Sequence, residues 1–252
     1  LRTIVSHKRR MVSTVLSIVL GIAFLAGTLV FTDSLQRTFD DLFSSVYAST
    51  DAVVRSSEEV KTQAGTTRGR IPDAMLAVVA EVPGVAEVMG SVTGYARILA
   101  KDGDPLGVDQ GSPNFGMEMN DSASSAWTTV AGRAPIDGTE MAMDKGSFDQ
   151  GDFTLDDAVT VISQQGPRTF TVVGVVRFGS ADSPAGSRVA LFDLATAQEF
   201  VGQPGQLDSI NVRGDGSLEP GALVARIAQD LPAGIEALTG QEMAAESSST
   251  IK

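Results

Sequence analysis

Between Arg10 and Asp33 runs MVSTVLSIVLGIAFLAGTLVFT, 22 residues without one charged side chain. As a helix it would be roughly 33 Å long at 1.5 Å per residue, enough to cross a hydrocarbon core of about 30 Å. A buried helix of a water-soluble domain rarely runs that far without a charge, so the stretch predicts a membrane span over residues 11–32. A cleaved secretory leader has a shorter apolar run and ends in two small residues spaced two apart. Here Ala26 is preceded by Phe24 and Gly27 by Leu25, so the pattern disfavours cleavage.

Charge gives the segment a direction. Residues 1–32 carry Arg2, Lys8, Arg9 and Arg10 and no acid, a net +4. The other 15 of the 19 basic residues and all 31 acids lie beyond Thr32, a net −16. With Lys8, Arg9 and Arg10 as the topology anchor, the positive-inside rule puts the N-terminus in the cytoplasm. The main domain is then extracytoplasmic, at the plasma membrane. Within the span, Ser13, Ser17 and Gly21 recur every four residues, and Ala23 and Gly27 are four apart. Small residues on one stripe let helices approach closely in lipid, although Gly and Ser are also common in spans generally.

Composition narrows the chemistry. A net charge of −12 argues against nucleic acid, which requires a basic face. Cysteine is absent, which excludes disulfides, thiol nucleophiles and thiolate metal sites. His7 is the one histidine and precedes the span, so no histidine triad or multi-histidine metal centre fits the folded body. No phosphate-binding G-x-x-x-x-G-K-[ST] occurs. Asp144, Asp149, Asp152, Asp156 and Asp157 form an acidic run without the ligand order of a calcium loop, and read as solvated turn carboxylates. Asp102-Gly103-Asp104 reads as a turn. Asn120-Asp121-Ser122 matches a glycosylation acceptor, a pattern short enough to arise by chance. These readings favour no catalytic residue, no metal and no cofactor.

After the span, Leu35, Phe39, Leu42, Phe43 and Val46 make a one-sided apolar stripe, and no Gly or Pro interrupts the chain from Asp33 to Tyr47. This predicts a stalk helix over 33–48 that continues the span. Ala52 to Val54 reads as a strand and the polar stretch Ser56 to Arg70 as a mobile loop. Ile71, Met75, Val78, Val79 and Val82 repeat a helical stripe, with Pro72 at its start and Pro83-Gly84 at its end. Two strands are expected at Val85 to Val92 and Gly94 to Ala100. Residues 109–157 lack clear periodicity. Within them Gly132-Arg133-Ala134-Pro135 reads as a turn leading into a strand. Met117, Met119, Met141 and Met143 alternate there, as one inward strand face does or as a soft apolar groove would. A hairpin at Val159 to Ser163 and Thr169 to Phe178 follows. A strand comes next at Val189 to Phe192, then a helix capped by Asp193 that ends at Phe200. The remaining elements are a strand at Leu207 to Val212, a helix at Leu218 to Leu231 and a strand at Ile235 to Leu238. Thr239 and Glu242 make a capping box for one more helix. Its interruption at Lys252, and the start at Leu1, read as a fragment of a longer protein.

The layout is an interrupted β-α-β-β…β-α-β, hence an α+β, ferredoxin-like unit with a mostly β insertion. With Val82-Pro83-Gly84-Val85-Ala86, Gly132-Arg133-x-Pro135 and the run Phe170 to Val176, this order resembles the permease subunits of MacB/FtsX-type ABC transporters of the actinobacterial branch. The resemblance spans essentially the whole chain, as the first transmembrane helix plus the large outer domain. It implies a porter-like subdomain (49–108 and 205–238), a sabre-like insertion (109–204) and the start of a returning stalk helix (239–252), after a cytoplasmic segment (1–10). It also implies mechanical work. A cytoplasmic ABC ATPase subunit would hydrolyse ATP, a second permease copy or half would complete the pore, and the stalk would carry motion outward to export or extract a lipoprotein, peptide or small molecule. The alternative is the outer sensor domain of a membrane-anchored receptor, which would continue past the returning helix with one span and a coiled coil instead of three further spans. An anchored cell-wall hydrolase fits poorly with no cysteine and no histidine beyond His7.

Overall fold

The computed structural model describes residues 12, 15–30, 50–62, 65–107, 113–119, 122 and 125–249. Residues 15–30 are helical throughout and their side chains are exposed, Phe24 by 78%. Thr28 Oγ1 donates to the Phe24 carbonyl at 2.9 Å, satisfying a hydroxyl that an apolar surround would otherwise strand. Among the described residues no helix is long and apolar enough to cross a membrane. The expected stalk, 33–48, lies outside the described residues.

The chain beyond residue 50 is an α+β body of two principal sheets. The smaller holds β1 (Ala52–Ser56), β5 (Val85–Ser91), β15 (Ser209–Gly214) and β16 (Ile235–Thr239) in the order β16-β1-β15-β5, with antiparallel neighbours. Helices α1 (Met75–Ala80) and α4 (Pro220–Asp230) connect β1 to β5 and β15 to β16. That strand order and connectivity are ferredoxin-like. Period-two burial explains the layer. Ala52 and Val54 of β1 join Ile210 and Val212 of β15, and Val79, Leu223 and Ile227 of the helices close the same core.

Between Ser91 and Ser209 the chain builds the larger sheet. Its strands are β6 (Thr93–Gly94), β7 (Ala96–Ile98), β8 (Asn114–Glu118), β9 (Trp127–Gly132), β10 (Glu140–Asp144), β11 (Ala158–Ser163), β12 (Gly166–Phe178) and β13 (Arg188–Phe192), ordered β6-β8-β13-β10-β12-β11-β7, with β9 on β12. Only Tyr95 separates β6 from β7, so one short run borders both ends of the sheet and closes it into a barrel. Closure requires tight approach. A Cβ on Gly94 would lie 2.1 Å from the Val201 carbonyl oxygen. Phe170, Phe192 and Phe200 fill the interior, with ring centroids 4.8, 5.2 and 5.5 Å apart. Phe200 comes from α3 (Leu194–Phe200), which Asp193 caps by accepting from the Thr196 N–H at 3.1 Å. The short helix α2 (Lys145–Gln150) follows β10.

Several sequence expectations change here. The segment 56–70 contains a hairpin, β2 (Glu59–Thr62) against β3 (Gly65–Arg68), rather than an unstructured loop. Ile71 and Pro72 form the strand β4, paired with β14 (Gln206–Leu207), and α1 begins only at Met75. Ile71 therefore belongs to a sheet edge, although its spacing mimics a helical stripe. The strand expected at 94–100 pairs with β11 in the barrel and not with β5. The aperiodic stretch 109–157 supplies β8, β9, β10 and α2. Its methionines do not line one groove. Met141 and Met143 sit in the main core, while Met119, with Met117 against it, packs with Ala142 in a second cluster.

Candidate functional site

Among the described residues no group of three His, Asp or Glu side chains could hold a metal ion. Local structure accounts for the acidic run instead. Asp149 pairs with Lys145 at 2.5 Å and Asp157 with Lys101 at 3.0 Å. Asp152 and Asp156 adopt positive φ in turns. Asp144 departs from a solvated turn residue. It is fully buried and accepts from the Ser147 N–H (3.0 Å), the Ser147 hydroxyl (2.5 Å), the Val189 N–H (2.7 Å) and the Ser183 hydroxyl. It fastens α2 and β13 together, with both carboxylate oxygens already accepting.

The arrangement that can do work is mechanical. Ala52, at the start of β1, lies in register opposite Thr239, at the end of β16. The chain thus enters and leaves the small sheet on neighbouring strands. Thr239 opens α5 (Gly240–Ser249) through a reciprocal cap. Its N–H donates to Glu242 Oε2 at 2.8 Å, and the Glu242 N–H donates to Thr239 Oγ1 at 3.1 Å.

A charged clamp then fixes α5 to the sheet face opposite the helix-covered core. Arg55, 7% exposed at its side chain, donates from Nε to Glu236 Oε1 at 2.9 Å and from Nη2 to Glu246 Oε2 at 2.5 Å. Arg68 Nη2 reaches Glu246 Oε1 at 2.8 Å. Burial lowers the affinity of Arg55 for its proton, but hydrogen bonds to Glu246 and Glu236 outweigh it and hold the guanidinium above its ordinary range. The same Arg55 bond holds the Glu246 carboxyl below its ordinary 4.5. The clamp therefore joins β1, the β2–β3 hairpin, β16 and α5 through two arginines.

A second junction lies where the chain crosses between the sheets. Outbound at Val92 and Thr93, the two successive N–H groups donate to Glu118 Oε2 and Asp208 Oδ2, each at 2.6 Å. Inbound, the Asp208 N–H returns a bond to the Ser91 carbonyl at 2.8 Å, and Arg70 Nε donates to Asp208 Oδ1 at 2.7 Å. Beside this crossing is a cleft of about 430 Å³, lined from the small-sheet side by Leu76, Glu87 and Met89 and from the barrel side by Glu118, Met119 and Leu194. Burial pushes the Glu118 carboxyl from 4.5 up to about 7 against the pull of the Val92 N–H, and the neighbouring Asp208 charge adds to the rise.

Residues 11–233 match the family model of the MacB-like periplasmic core domain. The chain belongs to that family. The fold agrees. The periplasmic region of MacB from Actinobacillus actinomycetemcomitans superposes with a TM-score of 0.59 at 10% identity, covering 81% of this chain and 94% of that one. The extracellular domain of the noncanonic ABC-type transporter YknZ from Gram-positive bacteria gives 0.50 at 11% identity, covering 74% and 98%. No curated protein matches the sequence.

In this MacB-like chain, the residues expected to matter from sequence fall in two groups. Lys8, Arg9, Arg10, Ser13 and the stalk face Leu35, Phe39, Leu42, Phe43 and Val46 lie outside the described residues. Ser17, Gly21, Ala23 and Gly27 lie on the exposed helix, where a Cβ on Gly21 or Gly27 would meet nothing within 4 Å. The two junctions were not anticipated. Arg55 carried a signal, a lone cation ending the apolar run Ala52-Val53-Val54. Glu118 and Asp208 carried none.

Proposed function

We propose that this MacB-like chain is the membrane-anchored, extracytoplasmic part of an ABC transporter permease, and that it passes ATP-driven motion outward to export or extract a lipoprotein, peptide or small molecule. The observation that carries this reading is the adjacency of Ala52 and Thr239. A domain whose entering and leaving segments lie side by side at one end of two neighbouring strands can be driven as a unit by two helices rising together.

In this reading residues 11–32 cross the plasma membrane, with Lys8, Arg9 and Arg10 holding the N-terminus in the cytoplasm. An exposed apolar helix over 15–30 supports it, since so continuous an apolar surface is costly in water. Ser13, Ser17, Gly21, Ala23 and Gly27 pack against a neighbouring span from this permease or a second copy. Residues 33–48 form the entering stalk, whose apolar face meets the returning helix that begins at α5. Residues 49–108 and 205–238, with the four-stranded sheet, α1 and α4, make the porter-like unit, and 109–204, which supply most of the barrel, the sabre-like insertion. The chain performs no chemistry itself, and a cytoplasmic ATPase subunit hydrolyses ATP.

The test is to replace Leu35 and Phe39 together by Gly in the permease assembled with its ATPase. Two glycines at roughly 1 kcal/mol each soften a helix without adding charge. The expected result is retained assembly and ATPase activity with export lost. Unchanged export would overturn the lever.

A further inference from the structure

The two sheets are joined by two chain crossings that run side by side, Ser91 to Thr93 outbound and Leu207 to Ser209 inbound. Two carboxylates from different parts of the chain grip successive N–H groups of the outbound crossing, Glu118 from the end of β8 and Asp208 from the inbound crossing itself. The open cleft adjoins this point, so the sheets have space to rock on one side only. Away from the cleft, Leu207 and Val92 belong to the continuous core. Such a junction allows a small hinge movement rather than separation.

We propose that Glu118 is a proton-operated latch on this crossing: with its carboxyl protonated the two sheets hold the closed angle seen here, and with it ionised the cleft opens to hydrate the charge. The groups facing Glu118 fix the direction. Asp208 is an acid, with Arg70 bonded to its far oxygen. Glu87, across the cleft on β5, is an acid paired with Arg213 of β15 at 2.9 Å. Ser122 and the apolar Leu76, Val88, Met89, Met119 and Leu194 complete the wall. Among the described residues no basic side chain lines the cleft; the Val92 N–H and the Ser91 hydroxyl draw Glu118 toward its charged form, and burial beside Asp208 outweighs them. Because the closed state keeps its proton up to about pH 7 and a hydrated carboxyl releases it near 4.5, the open-to-closed ratio rises up to about tenfold per pH unit between those values and is flat above them. This goes beyond the transporter reading and does not depend on it, since it concerns only the angle between two sheets of one chain.

The absence of cysteine makes the test direct. Spin labels attached at Gln229→Cys on α4 and Gln164→Cys in the β11–β12 turn report the angle in the full chain in detergent micelles, by double electron–electron resonance at pH 5 and pH 8. The expected result is a shift of a few ångströms between the two pH values, abolished by Glu118→Gln, which retains the pH 5 distance at both. An unchanged distance in the unsubstituted background, or the same shift in Glu118→Gln, would overturn the latch. If Glu118→Gln does not fold, the Val92 amide resonance of the native sequence decides. It must titrate between pH 5 and pH 8, and a flat profile overturns the proposal. Unchanged export in the Leu35→Gly, Phe39→Gly permease, with an intact pH response of the distance, would count against the transporter reading alone.

Discussion

Arg55 and Glu236 face one another in register on neighbouring antiparallel strands, and the Arg55 Nε–H donates to Glu236 Oε1 at 2.9 Å. This pair fills only one edge of the guanidinium, and Glu246 on α5 takes the other. The helix is thereby held by a cation that is itself anchored in the sheet. Glu246 is 39% exposed, so solvent screens the bond and its coupling to Arg55 should be only about 1 kcal/mol. A double-mutant cycle with Arg55→Ala and Glu246→Ala, read by urea unfolding, checks this. Zero coupling would show that α5 is held by other contacts.

Gly132 opens the Gly132-Arg133-x-Pro135 segment with φ +70, and a Cβ there would lie 2.1 Å from the Val173 carbonyl oxygen. That atom is already committed, accepting from the Arg133 N–H at 2.9 Å. Gly132→Ala must break the bond or shift β12, so a loss of at least about 2 kcal/mol is expected. Gly103→Ala, also at positive φ but with open space around it, should cost about 1 kcal/mol. Comparing the two unfolding free energies separates close approach from backbone strain. Equal losses would refute the steric account.

The small sheet was legible because its elements announce themselves locally. Val82-Pro83-Gly84 stops a helix, Asp193 and Thr239 are good caps, and Pro220 stands at a helix start. The strand at Ala96–Ile98 shows where such reading ends. It has the same alternation as β5, only a few residues away, and nothing local says that one pairs with β15 and the other with β11. The barrel stayed hidden for a related reason. It uses short strands and parallel pairs, β10 with β12 and β8 with β13, whose partners lie far apart in sequence. The junctions depend on such distances even more. Arg55 is 181 residues from Glu236, and Thr93 is 115 residues from Asp208.

Asp144 is the side chain whose removal should hurt the barrel most. Its two oxygens satisfy two backbone N–H groups and two hydroxyls in a dry site. Asp144→Ala strands the three buried donors of Ser147 and Val189, and a loss of about 3 kcal/mol or more is expected. Asp144→Asn keeps the size but replaces one acceptor oxygen with a donor, so it should recover only part of that loss. Thermal unfolding of the two variants tests the order. An alanine variant as stable as the native chain would mean that water replaces the carboxylate.

Stability against pH should carry two opposing limbs. The Arg55 bond holds Glu246 below its ordinary value, and the Thr239 N–H does the same for Glu242. Each stabilises the fold above the unfolded value of 4.5, and that contribution disappears as pH falls through the lower folded value. Glu118 runs the other way. Its folded value stands at about 7 against 4.5 unfolded, so the folded chain binds the extra proton between them. Its stabilisation is complete below 4.5, erodes as pH rises to about 7, and does not change further above that. Unfolding midpoints should therefore peak near pH 5 and decline toward neutrality. Glu118→Gln removes the group responsible for that decline and should flatten it while leaving the acid limb intact. A variant that still loses stability from pH 5 to pH 7 would show that Glu118 is already hydrated and ionised in the native chain.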